Sequence, residues 1–136
     1  MIVELVNRAG DVETYRAEAG SDDITFVILV NEMSASAIEI VAGAMQDHER
    51  AVIMGVQTFG KGIVQDVISF RDTGEGLQIT SAQYYTPDGN AVHGIGITPD
   101  IIVELDENYD PAIYDINLEN DNQLREAVKY LESLEK

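Results

Sequence analysis

Residues 25–65 decide the fold of this chain, and they read TFVILVNEMSASAIEIVAGAMQDHERAVIMGVQTFGKGIVQ. The run from Phe26 to Val30 is apolar and mostly β-branched, which is typical of a strand covered on both faces. Small residues at 34–37 predict a turn. A helix is predicted next, because apolar residues recur at the spacing i, i+3, i+4 and i+7, namely at Ile38, Val41, Ala42 and Met45. Residues 51–54 predict a second strand, so the order is strand, helix, strand, with a right-handed crossover.

Two residues suited to acyl transfer lie on the connections of this unit. Ser36 stands where the first strand turns into the helix, and Lys61 lies between Gly60 and Gly62. A serine hydroxyl needs an adjacent base to act as a nucleophile, and a lysine becomes a base when burial lowers its pKa. We expect the two glycines to let the backbone pack closely and desolvate the lysine. The helix N-terminus would supply N–H groups for an oxyanion.

The residues alone leave alternatives open. Ser34 or Ser36 could simply cap the helix, with Lys61 as an ordinary turn lysine. Ser36, His48 and Asp47 could form a hydrolase triad, although adjacent Asp and His side chains on a helix point in different directions. With two histidines and no cysteine in the chain, the composition argues against a transition-metal site.

The same region resembles the C-terminal processing peptidases, also called tail-specific proteases. The first motifs occur in the family's order: Val30-Asn31, Ser34-Ala35-Ser36-Ala37, Glu39-Ile40, Ala42-Gly43-Ala44, Asp47, Arg50-Ala51, Gly55, Thr58, Gly60-Lys61-Gly62 and Gln65. Two later motifs, AQYYTPDG at 82–89 and GIGITPD at 94–100, extend the resemblance over about residues 26–104. Met33 departs from the pattern, because the family has glycine there and glycine tolerates positive φ.

The resemblance implies an α/β fold, a Clp protease/crotonase-like peptidase core with ββα-type units and a C-terminal helix. It implies a serine endopeptidase that cleaves unstructured protein C-termini through a Ser/Lys dyad and an acyl-enzyme, without a cofactor or a metal. Ser36 would be the nucleophile and Lys61 the general base. Gln65 would orient the lysine, and the Ala37 N–H would contribute to the oxyanion hole.

We expect three segments: 1–105 as part of the peptidase core, 106–120 as an acidic linker and 121–136 as the C-terminal helix. The resemblance implies that the family's N-terminal segment, which gives the second oxyanion N–H, and its PDZ domain are missing, so we expect a truncated core. The alternative function is a catalytically inactive interaction or assembly domain of the same fold. An exposed sheet edge would then favour a homo-oligomer.

The remaining sequence predicts two β-hairpins, one from residues 1–6 and 12–17 and the other from residues 64–70 and 77–85. A last short strand is expected at 99–105. Tyr84 and Tyr85 are interpreted as packing residues, the commoner role of strand tyrosines. The adjacent acids Asp22 and Asp23 are interpreted as a solvated loop rather than a cation site.

Composition excludes some classes of function. The 136 residues include 25 acidic and 8 basic side chains, for a net charge of −17, which argues against nucleic-acid binding. No apolar run approaches the roughly 18 residues of a membrane span. The absence of cysteine excludes disulfides, and it fits the extracytoplasmic location, in the periplasm or cell envelope, that the resemblance implies for the parent protein.

Overall fold

The computed structural model describes residues 1–20, 24–107, 109 and 116–134. Its elements in chain order are β1 (Val3–Asn7), β2 (Val12–Tyr15), β3 (Val27–Val30), α1 (Ala37–Asp47), β4 (Val52–Gly55), β5 (Ile63–Ser69), β6 (Gly76–Tyr85), β7 (Ile101–Ile102) and α2 (Asn122–Leu134). The strands form a four-stranded sheet with the order β2-β1-β6-β5 and a three-stranded sheet with the order β3-β4-β7. Asp22 and Asp23, and residues 108 and 110–115 of the expected linker at 106–120, lie outside the described residues.

The three-stranded sheet is parallel and contains the strand, helix, strand unit that the sequence predicts. β3 pairs with β4 from Val27↔Val52 to Val30↔Gly55, and α1 makes the crossover between them. A Cβ on Gly55 would lie 1.9 Å from the carbonyl oxygen of Val30, so only glycine fits this approach. β7 lies parallel to β4 on its other side, and the carboxylate of Asp100 accepts a hydrogen bond of 2.8 Å from the Ile53 N–H.

The buried face of α1 differs from the face that the apolar spacing predicts. Ile38 and Val41 are 51% and 50% exposed, whereas Glu39 and Ala42 are fully buried. The reason is the close packing of the helix, because a Cβ on Gly43 would lie 2.8 Å from the Cγ2 of Thr86. At this separation the contact accepts small side chains, and the larger apolar ones are left partly in solvent.

The four-stranded sheet contains both predicted hairpins, β1–β2 and β5–β6. They are joined by the antiparallel pairing of β1 with β6, from Glu4↔Tyr85 to Asn7↔Ala82. The core contains buried residues of both sheets, of α1 and of the loop after β6; they are Val3, Val30, Ala42, Ala51, Ile53, Tyr84, Val92 and Ile97. Residues 65–80, which form the distal part of the β5–β6 hairpin, are all exposed.

The second helix packs beside the parallel sheet. Asp121 caps its start, because the Asp121 Oδ1 accepts a hydrogen bond of 2.9 Å from the Leu124 N–H. The side chain of Gln123 donates to the Val103 carbonyl oxygen at 2.7 Å. The apolar face predicted for this helix is only partly buried, since Leu134 is 53% exposed. Neither helix in the described ranges has the length and apolarity needed to cross a bilayer.

Candidate active site

Ser36 occupies the N-cap of α1, after a turn that the Asn31 side chain organises. The Asn31 Oδ1 accepts a hydrogen bond from the Met33 N–H at 3.0 Å. The Ser34 hydroxyl oxygen accepts one from the Asn31 N–H, also at 3.0 Å. Ser34 therefore has a local structural role in this turn.

The backbone of Ser36 lies in a sparsely populated conformation, with φ 59° and ψ −118°. In the described part of the chain, the only other non-glycine residue with positive φ is Glu49. Such a conformation costs about 1–3 kcal/mol and persists only where the surrounding structure enforces it. Met33 does not have positive φ, so methionine in place of the family's glycine causes no strain of this kind. The strained residue of the turn is the serine itself.

Lys61 lies in the loop between β4 and β5, and the flanking glycines allow the close backbone approach that the sequence predicts. A Cβ on Gly62 would lie 2.2 Å from the His93 nitrogen, and one on Gly60 would lie 3.0 Å from the Gly96 nitrogen. The expected burial of the lysine side chain is wrong, because Lys61 is exposed. The glycines bury the backbone of the loop, and the side chain extends from that backbone toward solvent.

A fully buried carboxylate, that of Glu39, links the serine turn to the lysine loop. Its Oε2 accepts hydrogen bonds of 2.8 Å from the backbone N–H groups of both Ser36 and Lys61. Its Oε1 accepts one from the Thr58 hydroxyl at 2.6 Å and one from the Gly60 N–H at 2.7 Å. Our sequence reasoning placed Glu39 in a family motif without a role. Its spacing from Ser36 matches the capping box S/T-x-x-E, which is the signal that could have identified it.

The hydroxyl of Tyr84 makes a second link between the same two segments. It lies 2.5 Å from the Lys61 carbonyl oxygen and 3.0 Å from the Ser36 carbonyl oxygen, on a side chain that is 2% exposed. Burial, followed by the negative charge of Glu39, raises the pKa of Tyr84 above its ordinary range. The phenol is therefore a neutral donor. The interpretation of Tyr84 as a packing residue accounts for its ring but not for this hydroxyl.

The four site residues that the sequence predicts line one open pocket of about 300 Å³. They are Ser36, Ala37, Lys61 and Gln65, and the rest of the lining is formed by Ile40, Ile63, Val64, Gln78 and Tyr84. As the first residue of α1, Ala37 carries one of the N–H groups that a helix leaves without an intrahelical acceptor. The wall contains apolar side chains from α1 and β5, and its polar side chains are those of Ser36, Lys61 and Gln65 together with Gln78 and Tyr84.

The hydrogen bonds expected between Lys61 and the other two predicted catalytic side chains, Ser36 and Gln65, are not formed in this pocket. Within the described residues, the Lys61 ammonium makes no hydrogen bond to the Ser36 hydroxyl or to Gln65. The Gln65 side-chain oxygen accepts instead from the Gln78 side-chain nitrogen at 3.1 Å. The proposed dyad therefore shares a pocket without being joined. Hydrogen bonds between catalytic groups are often long in ligand-free enzymes and tighten with substrate.

The alternative triad of Ser36, His48 and Asp47 is wrong. Ser36 and His48 cap opposite ends of α1, which places them about 18 Å apart at 1.5 Å per residue. The His48 ring contacts the Met1 carbonyl oxygen at 2.6 Å, and the Asp47 carboxylate accepts from the Asp88 N–H at 2.8 Å. Both side chains thus have structural partners far from the serine. In the ranges that the structure covers, no group of three His, Asp or Glu residues is arranged to hold a metal ion.

Known proteins resemble this chain in sequence. The chain is 47% identical over 134 residues to the carboxy-terminal-processing protease of Bartonella bacilliformis, which covers 93% of this chain and 30% of that protein. It is 45% identical over 104 residues to the carboxyl-terminal-processing protease of Synechocystis sp., which covers 76% of this chain and 24% of that protein. The chain thus spans less than a third of the length of these relatives.

A solved structure and a family model agree with these relatives. The photosystem II D1 C-terminal processing protease superposes with a TM-score of 0.67 at 36% identity, over 88% of this chain and 30% of that one. This likeness confirms the expected Clp protease/crotonase-like α/β core. The family model of peptidase family S41 matches residues 1–103, which is well over half of the chain. The chain therefore belongs to peptidase family S41, and its resemblance to the C-terminal processing peptidases is confirmed.

Proposed function

We propose that this chain carries the nucleophile and the base of a serine endopeptidase that cleaves unstructured protein C-termini. The observation that carries the proposal is the shared pocket, which brings Ser36, Ala37 and Lys61 together from two separate loops of an S41 fold. The strained backbone at Ser36 adds to it, since residues in such conformations cluster at active sites.

In the proposed acylation step, the Lys61 amine acts as general base and takes the proton of the Ser36 hydroxyl as the oxygen attacks the scissile carbonyl carbon. The carbonyl oxygen becomes an oxyanion, which the Ala37 N–H and the dipole at the start of α1 stabilise. Collapse of this intermediate breaks the C–N bond. The leaving amine takes the proton from the lysine, and the N-terminal part of the substrate remains as an ester on Ser36.

Deacylation uses the same groups with water as the nucleophile. Lys61 accepts a proton from water, the resulting hydroxide attacks the ester carbonyl, and a second oxyanion forms at the same place. Its collapse releases the carboxylic acid, and the lysine returns the proton to the Ser36 oxygen. The orienting role of Gln65 stays a prediction. It requires the Gln65 side chain to exchange its bond with Gln78 for one with Lys61 when substrate binds.

The test is cleavage of an unstructured protein by the full-length protein that contains this chain. We expect Ser36→Ala and Lys61→Ala to lower kcat/KM at least about 10³-fold, since nucleophile and base act as a unit. Ser69→Ala, at an exposed serine of the distal β5–β6 hairpin, is the matched serine control. Lys129→Ala, at an exposed lysine of α2, is the matched lysine control, and both controls should keep activity within about twofold. An unchanged cleavage rate in Ser36→Ala would disprove the proposal.

The alternative of an inactive interaction or assembly domain has one observation in its favour, the separation of Lys61 from the Ser36 hydroxyl. Two exposed edges, those of β2 and β5, flank the antiparallel sheet, and an unpaired edge is a template for association. A wild-type full-length protein that cleaves no unstructured substrate, and that sediments as a homo-oligomer, would favour this alternative. A monomer that cleaves would exclude it.

The substrate specificity and location of the parent protein complete the proposal. The C-terminal processing proteases among its relatives come from bacteria, and one is chloroplastic. We place this protein's activity on protein C-termini outside the cytoplasm, in the periplasm or cell envelope. Fractionation of the source cells, with a tagged protein found only in the cytoplasm, would contradict this location. Equal cleavage of a substrate with a blocked, amidated C-terminus would contradict C-terminal recognition.

A further inference from the structure

We propose that Tyr84 is a positioning residue of this site, whose hydroxyl sets the spacing between the backbone of Ser36 and the backbone of Lys61. The inference rests on the proposed Ser/Lys function and adds to it a residue whose hydroxyl bonds to the backbone of Ser36 and Lys61 and not to the reacting atoms. Tyr84 belongs to β6, which is separate in sequence from both the serine turn and the lysine loop.

The chemistry of the two linking side chains is complementary. Glu39 is an acceptor, and its carboxylate accepts hydrogen bonds from the backbone N–H groups of Ser36 and Lys61, both at 2.8 Å. Tyr84 is a donor, and its hydroxyl contacts the carbonyl oxygens of the same two residues, at 3.0 Å for Ser36 and 2.5 Å for Lys61. Each of these two residues is therefore held on its N–H side by one side chain and on its carbonyl side by the other.

This arrangement matters because it fixes the backbone from which the Lys61 side chain extends. That side chain is exposed, so packing does not fix the ammonium, and the backbone beneath it is the part that the protein holds. The positive φ of Ser36 also needs neighbours that enforce it. A displacement of about 1 Å between reacting groups can lower a rate about 10²-fold. Loosening either segment should therefore reduce the chemical step more than substrate binding.

The Tyr84 hydroxyl does not bind the serine turn and the lysine loop equally. A phenol has one hydrogen, and its shorter contact is with the Lys61 carbonyl oxygen. The lysine loop is thus the segment that depends more on Tyr84, whereas the Ser36 carbonyl oxygen also accepts from the N–H groups of Glu39 and Ile40. Removing the hydroxyl should leave the α1 start in place and leave the Lys61 carbonyl oxygen without this donor, so that the loop is held on its N–H side by Glu39 but shifts on its carbonyl side.

The test compares Tyr84→Phe with Tyr85→Phe in the full-length protein. Both variants lose one hydroxyl from neighbouring positions of β6, but among the described residues the Tyr85 hydroxyl bonds to the Gln83 side chain, at 3.3 Å, and not to the backbone of the site. We expect Tyr84→Phe to lower kcat about 10–100-fold with KM within about threefold. Labelling of Ser36 by a fluorophosphonate probe should slow in parallel, because it uses the same nucleophile and base. Tyr85→Phe should stay within about twofold of wild type.

Activity is expressed per folded protein, measured by circular dichroism at the assay temperature, and is repeated at a lower temperature. A Tyr84→Phe kcat within twofold of wild type would overturn the proposal. So would a loss that equals the unfolded fraction and disappears on cooling, since the hydroxyl would then act on stability alone. Failure of the proposed function gives a different result: wild-type protein would neither cleave nor be labelled at Ser36, and both proposals would fall.

Discussion

Replacing Glu39 with glutamine tests how much stability the buried link between the two loops provides. The carboxylate accepts hydrogen bonds from three backbone N–H groups and from the Thr58 hydroxyl. A glutamine side chain keeps one oxygen, and its NH2 group would face two of these four donors. The Thr58 hydroxyl can turn to accept, so one or two backbone N–H groups remain without an acceptor at a fully buried position.

The magnitude follows from these bonds. A hydrogen bond to a charged group contributes about 1.5–3 kcal/mol, so two lost bonds give about 3–6 kcal/mol. Removing a buried charge offsets part of this loss, because the amide needs less solvation than the carboxylate. We therefore expect the free energy of unfolding to fall by about 3 kcal/mol, a large share of the 5–15 kcal/mol typical of a domain.

The assay is urea unfolding followed by far-UV circular dichroism. At a slope of about 1–3 kcal/mol/M, the midpoint for Glu39→Gln should fall by roughly 1–3 M with an unchanged slope. The matched control is Glu126→Gln, because Glu126 is an exposed glutamate of α2 paired with Lys129. Exposed pairs contribute at most about 1 kcal/mol. If Glu39→Gln unfolded at the same urea concentration as this control, the carboxylate would not be the link described here.

Three further predictions concern a glycine, a tyrosine and the net charge. Gly62→Ala should lower the unfolding free energy by more than about 2 kcal/mol, because the new Cβ would lie 2.2 Å from the His93 nitrogen. The control is Gly76→Ala, whose Cβ would lie 3.4 Å from its nearest atom and which should lower the unfolding free energy by less than about 1 kcal/mol. Equal urea midpoints for the two variants would refute this prediction. The raised pKa of Tyr84 means that its stabilising contribution is complete below about pH 10 and is lost as pH rises from there toward the folded-state value. The Tm of wild type should therefore fall more steeply above pH 10 than that of Tyr84→Phe, and parallel curves would contradict the assignment. Raising NaCl from about 0.02 M to about 0.5 M should raise Tm by screening the charge of −17, and a lower Tm would show that attractive pairs dominate.

Local pattern predicted the elements well where apolar period and turn residues both mark them. The strand, helix and strand of residues 27–55 and both hairpins lie where period and turn residues predict them. The pattern was wrong about which side of α1 is buried. An apolar spacing selects the most hydrophobic face, whereas the contact at Gly43 selects the smallest side chains.

The motif series placed four candidate residues, and they line one pocket. Spacing along the chain could not show that Gln65 bonds to Gln78 or that Lys61 is exposed. Both facts depend on where the β5–β6 hairpin and the lysine loop lie relative to α1. That placement follows from the pairing of β1 with β6, which joins residues about 80 positions apart.

By itself, the sequence determined the family, the α/β class, the order of the elements and the pairing of a serine with a lysine as candidates. These depend on residue type and short spacing, which are properties of the chain before it folds. Only the tertiary structure decided that Glu39 and Tyr84 hold the backbone of both candidates. From the sequence alone, a glutamate in a helix or a tyrosine in a strand could hydrogen-bond to many residues. In the folded chain both side chains are buried between the serine turn and the lysine loop, and that position determines which hydrogen bonds they make.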